Sequence, residues 1–526
     1  MTTAGTGALL RFMLRRERRG LPWWVVGAGF LVFYQSLGSQ SIYGTPERLA
    51  RFRETIGGNA AMVAFSGPPQ LLETIGGEVV FEIFAYLSVV VALMNMFLVG
   101  RHTRSDEETG RAELIRSAAV GRHAPLAAAL ALAGLANLLV ALVVFVAAAG
   151  TGLPVGGSML LGAATAAVGV AFAALTAVAV QVFENPRAVY GTVGIAIGTA
   201  FMLRAAGDAG DGTLSWLSPI GWGQRTFPYA GDRWWPLLLP LAAAALLVAV
   251  AVALLDRRDF GAGLLRTRPG RASASPALAS PLALAWRLQR GSLIGWAAGL
   301  VLFGLALGSF GESVEQYITD NPEVANFFPG GAADIVNSYL ALCVVFGALI
   351  AAAYGVAATL RARGEETSGR AEPVLATPTS RAGWLGSHLS VALAGSALVL
   401  AVGGFGVGLA YGLAVSDPGQ IPRLTAIALA YIPAVWLVVS IAALAFGWVP
   451  RAAAAVAWVA VGYCAVVVLF ADSFDLPDWF GKASPFAHTP EAPLESVTAV
   501  PLLAIAAVVV ALLAGGFAGF RRRDIG

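Results

Sequence analysis

Residues 79–113 read VVFEIFAYLSVVVALMNMFLVGRHTRSDEETGRAE, and residues 336–372 read VNSYLALCVVFGALIAAAYGVAATLRARGEETSGRAE. Each begins as an apolar run long enough to cross a bilayer core of about 30 Å. Each ends in a short segment of mixed charge: Glu107-Glu108-Thr109-Gly110-Arg111-Ala112-Glu113 returns as Glu365-Glu366-Thr367-Ser368-Gly369-Arg370-Ala371-Glu372. Two more echoes keep a similar distance, Ser218-Pro219 with Ser484-Pro485 and Arg258-Asp259-Phe260-Gly261 with Arg523-Asp524-Ile525-Gly526. A steady offset of this kind predicts a fused duplicate, with a first repeat over 1–270 and a second over 271–526.

Working outward, apolar runs fill the chain. Hydrophobic residues make up 57% of the 526 positions and charged residues 12%, with a mean hydropathy of +0.74. A water-soluble domain carries about 25% charged residues. Runs near bilayer length fall at roughly 21–41, 79–100, 125–149, 158–183, 187–206, 236–255, 291–311, 336–359, 386–415, 422–447, 450–471 and 497–519. The expected fold is an all-α integral membrane protein of about twelve transmembrane helices, arranged as two parallel six-helix repeats. Cys343 and Cys464 lie inside apolar runs and read as small buried side chains. Four scattered histidines give no metal-ligand spacing, so no metal site is expected, and no nucleic-acid partner either.

Alternating the loops across a membrane sorts the basic residues. With the N-terminus inside, about 26 of the 34 Lys and Arg residues share its side. That bias predicts a multi-pass protein of the bacterial plasma membrane with both termini cytoplasmic. The basic first twenty residues precede a long apolar run, which reads as an uncleaved first span. The stretch from Leu264 to Pro281, rich in Arg, Pro, Gly and Ser, reads as the linker between the repeats.

Several segments carry candidate work. Basic, partly amphipathic stretches before each first span (Leu9–Arg19 and Leu282–Arg290) suggest helices lying along the inner leaflet. The Glu-Glu segments add acidic residues where anchoring needs only basic ones, which suggests short solvated helices that dock a basic partner. Phosphate cradling in a P-loop needs Gly-Lys followed by Ser or Thr. The single lysine, in Gly481-Lys482-Ala483, excludes that motif from this chain. No catalytic residue is expected. On the outer side, Thr45 to Ile56 reads as a short helix capped by Thr45. The loop Glu312–Asp334 stands at the corresponding place in the second half. The aromatic clusters Trp216, Trp222, Phe227, Tyr229, Trp234 and Trp235, then Phe474, Trp479, Phe480 and Phe486, read as an interfacial belt. Polar groups inside spans cost roughly 2.5–3.5 kcal/mol per mid-bilayer charge, so Gln35, Glu78, Glu82, Asn95, Asp334, Asn337 and Tyr339 are candidates to line a substrate cavity. Glu184 and Arg187 read as helix caps.

The segment Gly364 to Arg381, ending Leu375-Ala376-Thr377-Pro378-Thr379-Ser380-Arg381, resembles the cytoplasmic signature of ATP-binding-cassette export permeases. In that signature a glutamate-rich stretch, a Gly, a Glu and Leu-x-x-Pro-x-Ser-Arg link the second and third spans. The first half, Leu114 to Arg122, lacks the Pro and the Ser-Arg pair. The double length, the Ser-Pro-Ile-Gly-Trp run at 218–222 and the Arg-Arg-Asp endings are similar to actinobacterial permeases described as exporters of polyketide antibiotics and other drugs. The resemblance implies one fused permease paired with two copies of a cytosolic ATP-binding subunit, which bind ATP and Mg while this chain holds no cofactor. Asp106, Glu107, Glu108, Gly110, Glu113, Glu365, Glu366, Gly369, Glu372, Pro378 and Arg381 would form the coupling segments. Cargo would be a hydrophobic or amphipathic small molecule leaving the cell. An ion-coupled transporter would instead place acidic residues deep in the membrane, and Glu78, Glu82 and Asp334 lie near one edge. A non-transporting platform for a cytosolic ATPase is the third class.

Overall fold

The computed structural model describes residues 3–57, 60–259, 261–265, 273–311, 332–470 and 478–524. Among these residues the chain is helical and forms no strand beyond one isolated bridge between Phe183 and Leu265. It divides into two compact units, Met1–Gly270 and Arg271–Gly526. The expected loop Glu312–Asp334, with its Asn326-Phe327-Phe328-Pro329 run, lies almost wholly outside the described residues, as do Phe474 and residues 266–272 of the linker.

The first unit contains α1 Thr6–Glu17, α2 Leu21–Tyr43, α3 Pro46–Gly57, α4 Ala60–Phe65, α5 Ile75–Gly100, α6 Arg111–Arg116, α7 Ala124–Gly150, α8 Val155–Val182, α9 Pro186–Ala209, α10 Pro219–Gln224 and α11 Leu238–Arg257. The second contains α12 Pro281–Ser309, α13 Ala332–Thr367, α14 Ala371–Leu375, α15 Arg381–Ala414, α16 Gln420–Ala430, α17 Ile432–Trp448, α18 Ala453–Phe470, α19 Asp478–Lys482 and α20 Ala499–Arg522. Among the described residues ten helices are long and apolar enough to span a membrane, so the protein is an all-α multi-pass membrane protein. Twelve is not reached by that measure. α2 is a 23-residue helix, but Gln35, Ser36, Ser39, Gln40 and Ser41 lower its hydropathy, and α18 offers only a shorter apolar stretch, Ala453–Val468.

Packing follows one plan in both units. α5 and α8 form the centre of the first, around Phe81, Phe84, Leu87, Val168 and Phe172, each almost fully buried. α13, α15 and α17 play that part in the second, around Tyr354, Val399, Val435 and Val439. Because lipid tails are as apolar as Leu, such helices gain from close van der Waals fit rather than from escape from water. The last helix packs on the fourth span in each case, α11 on α8 and α20 on α17.

Local chemistry explains two differences from expectation. α1 is a separate helix that turns Leu9, Met13 and Glu17 inward, while Arg11, Arg15 and Arg18 stay exposed. It ends before Gly20-Leu21-Pro22, where Pro22 sits in the first turn of α2 and cannot continue a preceding helix. The second unit has no proline there, and Leu282–Arg290 runs straight into α12 rather than forming its own helix. The cap at the start of α9 is Asn185, whose side chain accepts from the Arg187 amide at 2.8 Å, not Glu184 or Arg187. Thr45 precedes α3 as expected, with the Arg48 amide 3.4 Å from its hydroxyl.

Candidate coupling segments at the arginine-rich end

Below Gly100, α5 widens into a π-turn over Arg101–Ser105 and resumes over Asp106–Glu108; such turns often mark functional positions in helices. The widened turn sends Arg101, His102, Arg104, Asp106 and Glu107 to partners on three other elements. Glu17, 3% exposed, takes Arg101 at 2.9 Å and His102 Nε2 at 3.0 Å. The hydrogen bond from His102, and then the Arg101 charge, hold its carboxyl below the usual value, against the opposing effect of burial. Arg16 donates to both oxygens of Asp106 at 2.8 Å. Arg104, 1% exposed, reaches Glu107 and donates to the carbonyls of Val180 at 2.9 Å and Ala262 at 3.1 Å.

The acidic pair thus turns inward. Arg258 clasps Glu107 with both terminal nitrogens, 2.6 Å to Oε1 and 3.0 Å to Oε2, while its Nε donates to Gln181 Oε1 at 2.6 Å. Bidentate Arg–carboxylate pairs of this kind add fixed geometry to charge. Arg122, at the turn into α7, donates to the carbonyls of Leu255 at 2.7 Å and Arg258 at 2.8 Å, covering orphan carbonyls at the end of α11. A cavity of about 150 Å³ opens among Met13, Thr103, Asp106, Ile115, Arg122 and Arg258.

The second unit repeats this arrangement with fewer ties. Arg523 clasps Glu366 at 2.5 and 2.6 Å, and its guanidinium lies over the rings of Phe446 and Phe520 at 4.9 and 5.0 Å. Arg361 and Arg370 hold Glu365 at 2.9 and 3.2 Å. Arg381 donates to the carbonyls of Arg521 at 3.3 Å and Arg523 at 2.8 Å. Shared partners fix the register that the letters left ambiguous. Glu107 matches Glu366, since each binds the arginine after the last helix, and Asp106 matches Glu365, since each meets Arg111 or Arg370. Gly110 and Gly369 agree, with φ of 71° and 70°, a left-handed conformation that glycine adopts freely. Arg122 matches Arg381, so the first half keeps the arginine of the signature. It lacks Pro378 and Ser380, whose hydroxyl accepts from the Gly383 amide at 3.0 Å to cap α15.

What remains outward is the short helix after each glycine. Glu108, Glu113 and Leu114 are exposed in the first unit, Leu114 at 76%. Glu372, Pro373 and Pro378 are exposed in the second. Among the described residues no side chain pairs with Glu108, Glu113 or Glu372. The missed residues are Arg16, Arg104, Arg258 and Arg523. The repeated Arg-Arg-Asp endings were the signal for the last two.

The polar candidates inside the spans separate. Glu78 is fully buried with neither oxygen hydrogen-bonded, and Glu82 follows one turn later on α5. Gln35 donates to Ser39 within α2 at 3.2 Å. Asn95 is paired across to a neighbouring span. Its amide exchanges hydrogen bonds with Asn137 at 3.0 and 2.8 Å, and each also donates to the carbonyl four residues back. Tyr339 donates to the Leu307 carbonyl at 2.6 Å, tying α13 to α12, and Asn337 accepts from Arg423 at 3.1 Å. Asp334 falls on the first turn of α13, where side chains lie outside the described residues. At the opposite end of the first unit, Arg204 and Arg225 flank buried Asp208 at 3.6 and 3.3 Å, a cluster the spacing did not reveal. Phe227 and Tyr229 are core rather than belt, 5% and 9% exposed. Their positive φ of 47° and 64° belongs to a tight loop that also includes Asp232. Burial pushes the Tyr229 hydroxyl up to about 12, and it is hydrogen-bonded to Ser158 at 2.9 Å.

Residues 8–255 and 278–521 match a family described as multidrug efflux system permease Rv1217c, C-terminal domain. The chain is also 41% identical over 528 residues to the multidrug efflux system permease protein Rv1217c of Mycobacterium tuberculosis (strain ATCC 25618 / H37Rv), across 99% of this chain and 95% of that protein. With both matches running along most of its length, the chain belongs to the Rv1217c family of multidrug efflux permeases.

Proposed function

We propose that this protein is the membrane subunit of an ATP-binding-cassette exporter in the bacterial plasma membrane, with both termini cytoplasmic. Two copies of a separate cytosolic subunit bind ATP and Mg and supply the energy, and the cargo is a hydrophobic or amphipathic drug-like molecule. The two units, 1–270 and 271–526, are in this reading a fused duplication that offers one coupling segment to each ATPase copy. The observation that carries it is the repeated geometry itself. In both units a glycine-hinged short helix stands exposed between the second and third spans while the carboxylates beside it are locked inward. An ordinary solvated turn needs no such internal framework. ATP drives transport only if the partners' closed form prefers it, and a stiff segment is what passes that preference on.

The test is purification of the full chain from native membranes, followed by export of a lipophilic dye from vesicles holding the purified complex. A P-loop ATPase should accompany the chain, and dye export should require ATP. Vigorous export by the chain with no companion overturns the proposal, as does labelling that finds either coupling segment on the outer face.

A further inference from the structure

Two spans each pack chiefly on one neighbour, α11 on α8 and α20 on α17, and are fastened at one end to the candidate coupling segments. Of the most apolar stretch of α11, and likewise of α20, only 17% is buried, the lowest share among the ten spans. The central spans α5 and α8 reach 72%. Each of these one-neighbour helices is held at its arginine-rich end from two directions. Arg258 clasps Glu107 and Arg523 clasps Glu366, in both cases through two nitrogens. Arg122 and Arg381 return from the far side of the same segments to the last carbonyls of the same helices. One attachment would let the helix swivel, whereas two on opposite flanks of the segment oblige its end to follow. A helix with few neighbours is also the one that moves at least cost in broken packing.

We propose that the last span of each unit is the lever the coupling segment drives, with Arg258 and Arg523 as positioning residues that transmit the motion without touching the ATPase. This rests on the exporter reading above. The arginine faces inward and the exposed residues of the segment face away, so docking and transmission separate onto different side chains. The bidentate pairs stay closed through the cycle, and the helix moves with them.

The experiment uses the full chain with its co-purified ATPase in proteoliposomes, rhodamine 6G as the exported dye, and the variants Arg523→Glu and Arg258→Glu. Both variants should still bring down the ATPase and hydrolyse ATP at the basal rate, while dye export per ATP falls to near background. The swaps Arg523→Glu with Glu366→Arg, and Arg258→Glu with Glu107→Arg, should restore export, while the ATPase recovery and basal hydrolysis kept by the single variants separate a broken lever from a lost fold. A thiol cross-link between Glu366→Cys and Arg523→Cys should leave export intact. Unchanged export in both single variants overturns the lever, and so does loss of export on cross-linking, because the pair would then have to open. Loss of the ATPase from the single variants also overturns it, since the arginines would then belong to docking. If the unaltered chain neither recruits an ATPase nor exports dye, it is the exporter reading that fails.

Discussion

Asn95 and Asn137 exchange amide hydrogen bonds between α5 and α7, at 3.0 and 2.8 Å, with both side chains all but fully buried. Gly169 of α8 backs the pair so closely that a Cβ there would stand 2.0 Å from Asn137 Oδ1. In lipid there is no water to replace either bond. The second unit holds Tyr354 and Ser396 at the corresponding positions, and the ring of Tyr354 lies against Gly395. The two halves therefore keep one helix plan while closing its centre by different means.

Asn95→Ala leaves the Asn137 amide short of partners in a buried site, at a cost of about 1–3 kcal/mol. Stability in a detergent titration should fall by that order. The double variant Asn95→Leu with Asn137→Leu should lose less than the two single changes combined. Full additivity would show that the two amides do not depend on each other.

Tyr229 fills the space above Gly157, where an added Cβ would meet the ring at 2.2 Å. Gly157→Ala should lower the melting temperature sharply, whereas Tyr229→Phe should lose about 1 kcal/mol with its bond to Ser158. Equal losses from the two changes would mean that the hydroxyl, and not the ring, anchors the loop.

The framework around Glu17 predicts acid sensitivity. Its carboxyl titrates below the usual 4.5, chiefly through the His102 hydrogen bond. The stabilisation is therefore present above that value and is lost as pH falls through the lowered one. Melting of the unaltered chain should steepen its decline below pH 4.5, and Glu17→Gln should be less stable at neutral pH with a shallower acid slope. Parallel slopes for the two proteins would remove Glu17 as the cause.

On the exporter reading, the exposed carboxylates dock and the inward ones do not. Charge reversal at Glu113 and Glu372 should reduce the ATPase recovered with the chain while leaving its own melting unchanged. Glu365→Gln should do the reverse, lowering melting by about 1–3 kcal/mol because Arg361 and Arg370 lose their partner. Normal recovery after reversal at both Glu113 and Glu372 would place docking elsewhere on the segments.

Hydropathy and the repeated charge pattern determine by themselves that this chain is a helical membrane protein, because the bilayer demands long apolar helices whatever their neighbours. The same letters mark both candidate coupling segments, since charge at a helix end beside lipid stands out against an apolar background. They could not tell an outward carboxylate from an inward one. Glu107 and Glu108 are adjacent and chemically identical, and only the arrival of Arg258 from 151 positions away settles which of them is held. Asn95 likewise reads as a polar intruder until Asn137 is brought against it. Partners distant in sequence are chosen by how helices pack, and in lipid that choice rests on shape, which a linear pattern does not carry.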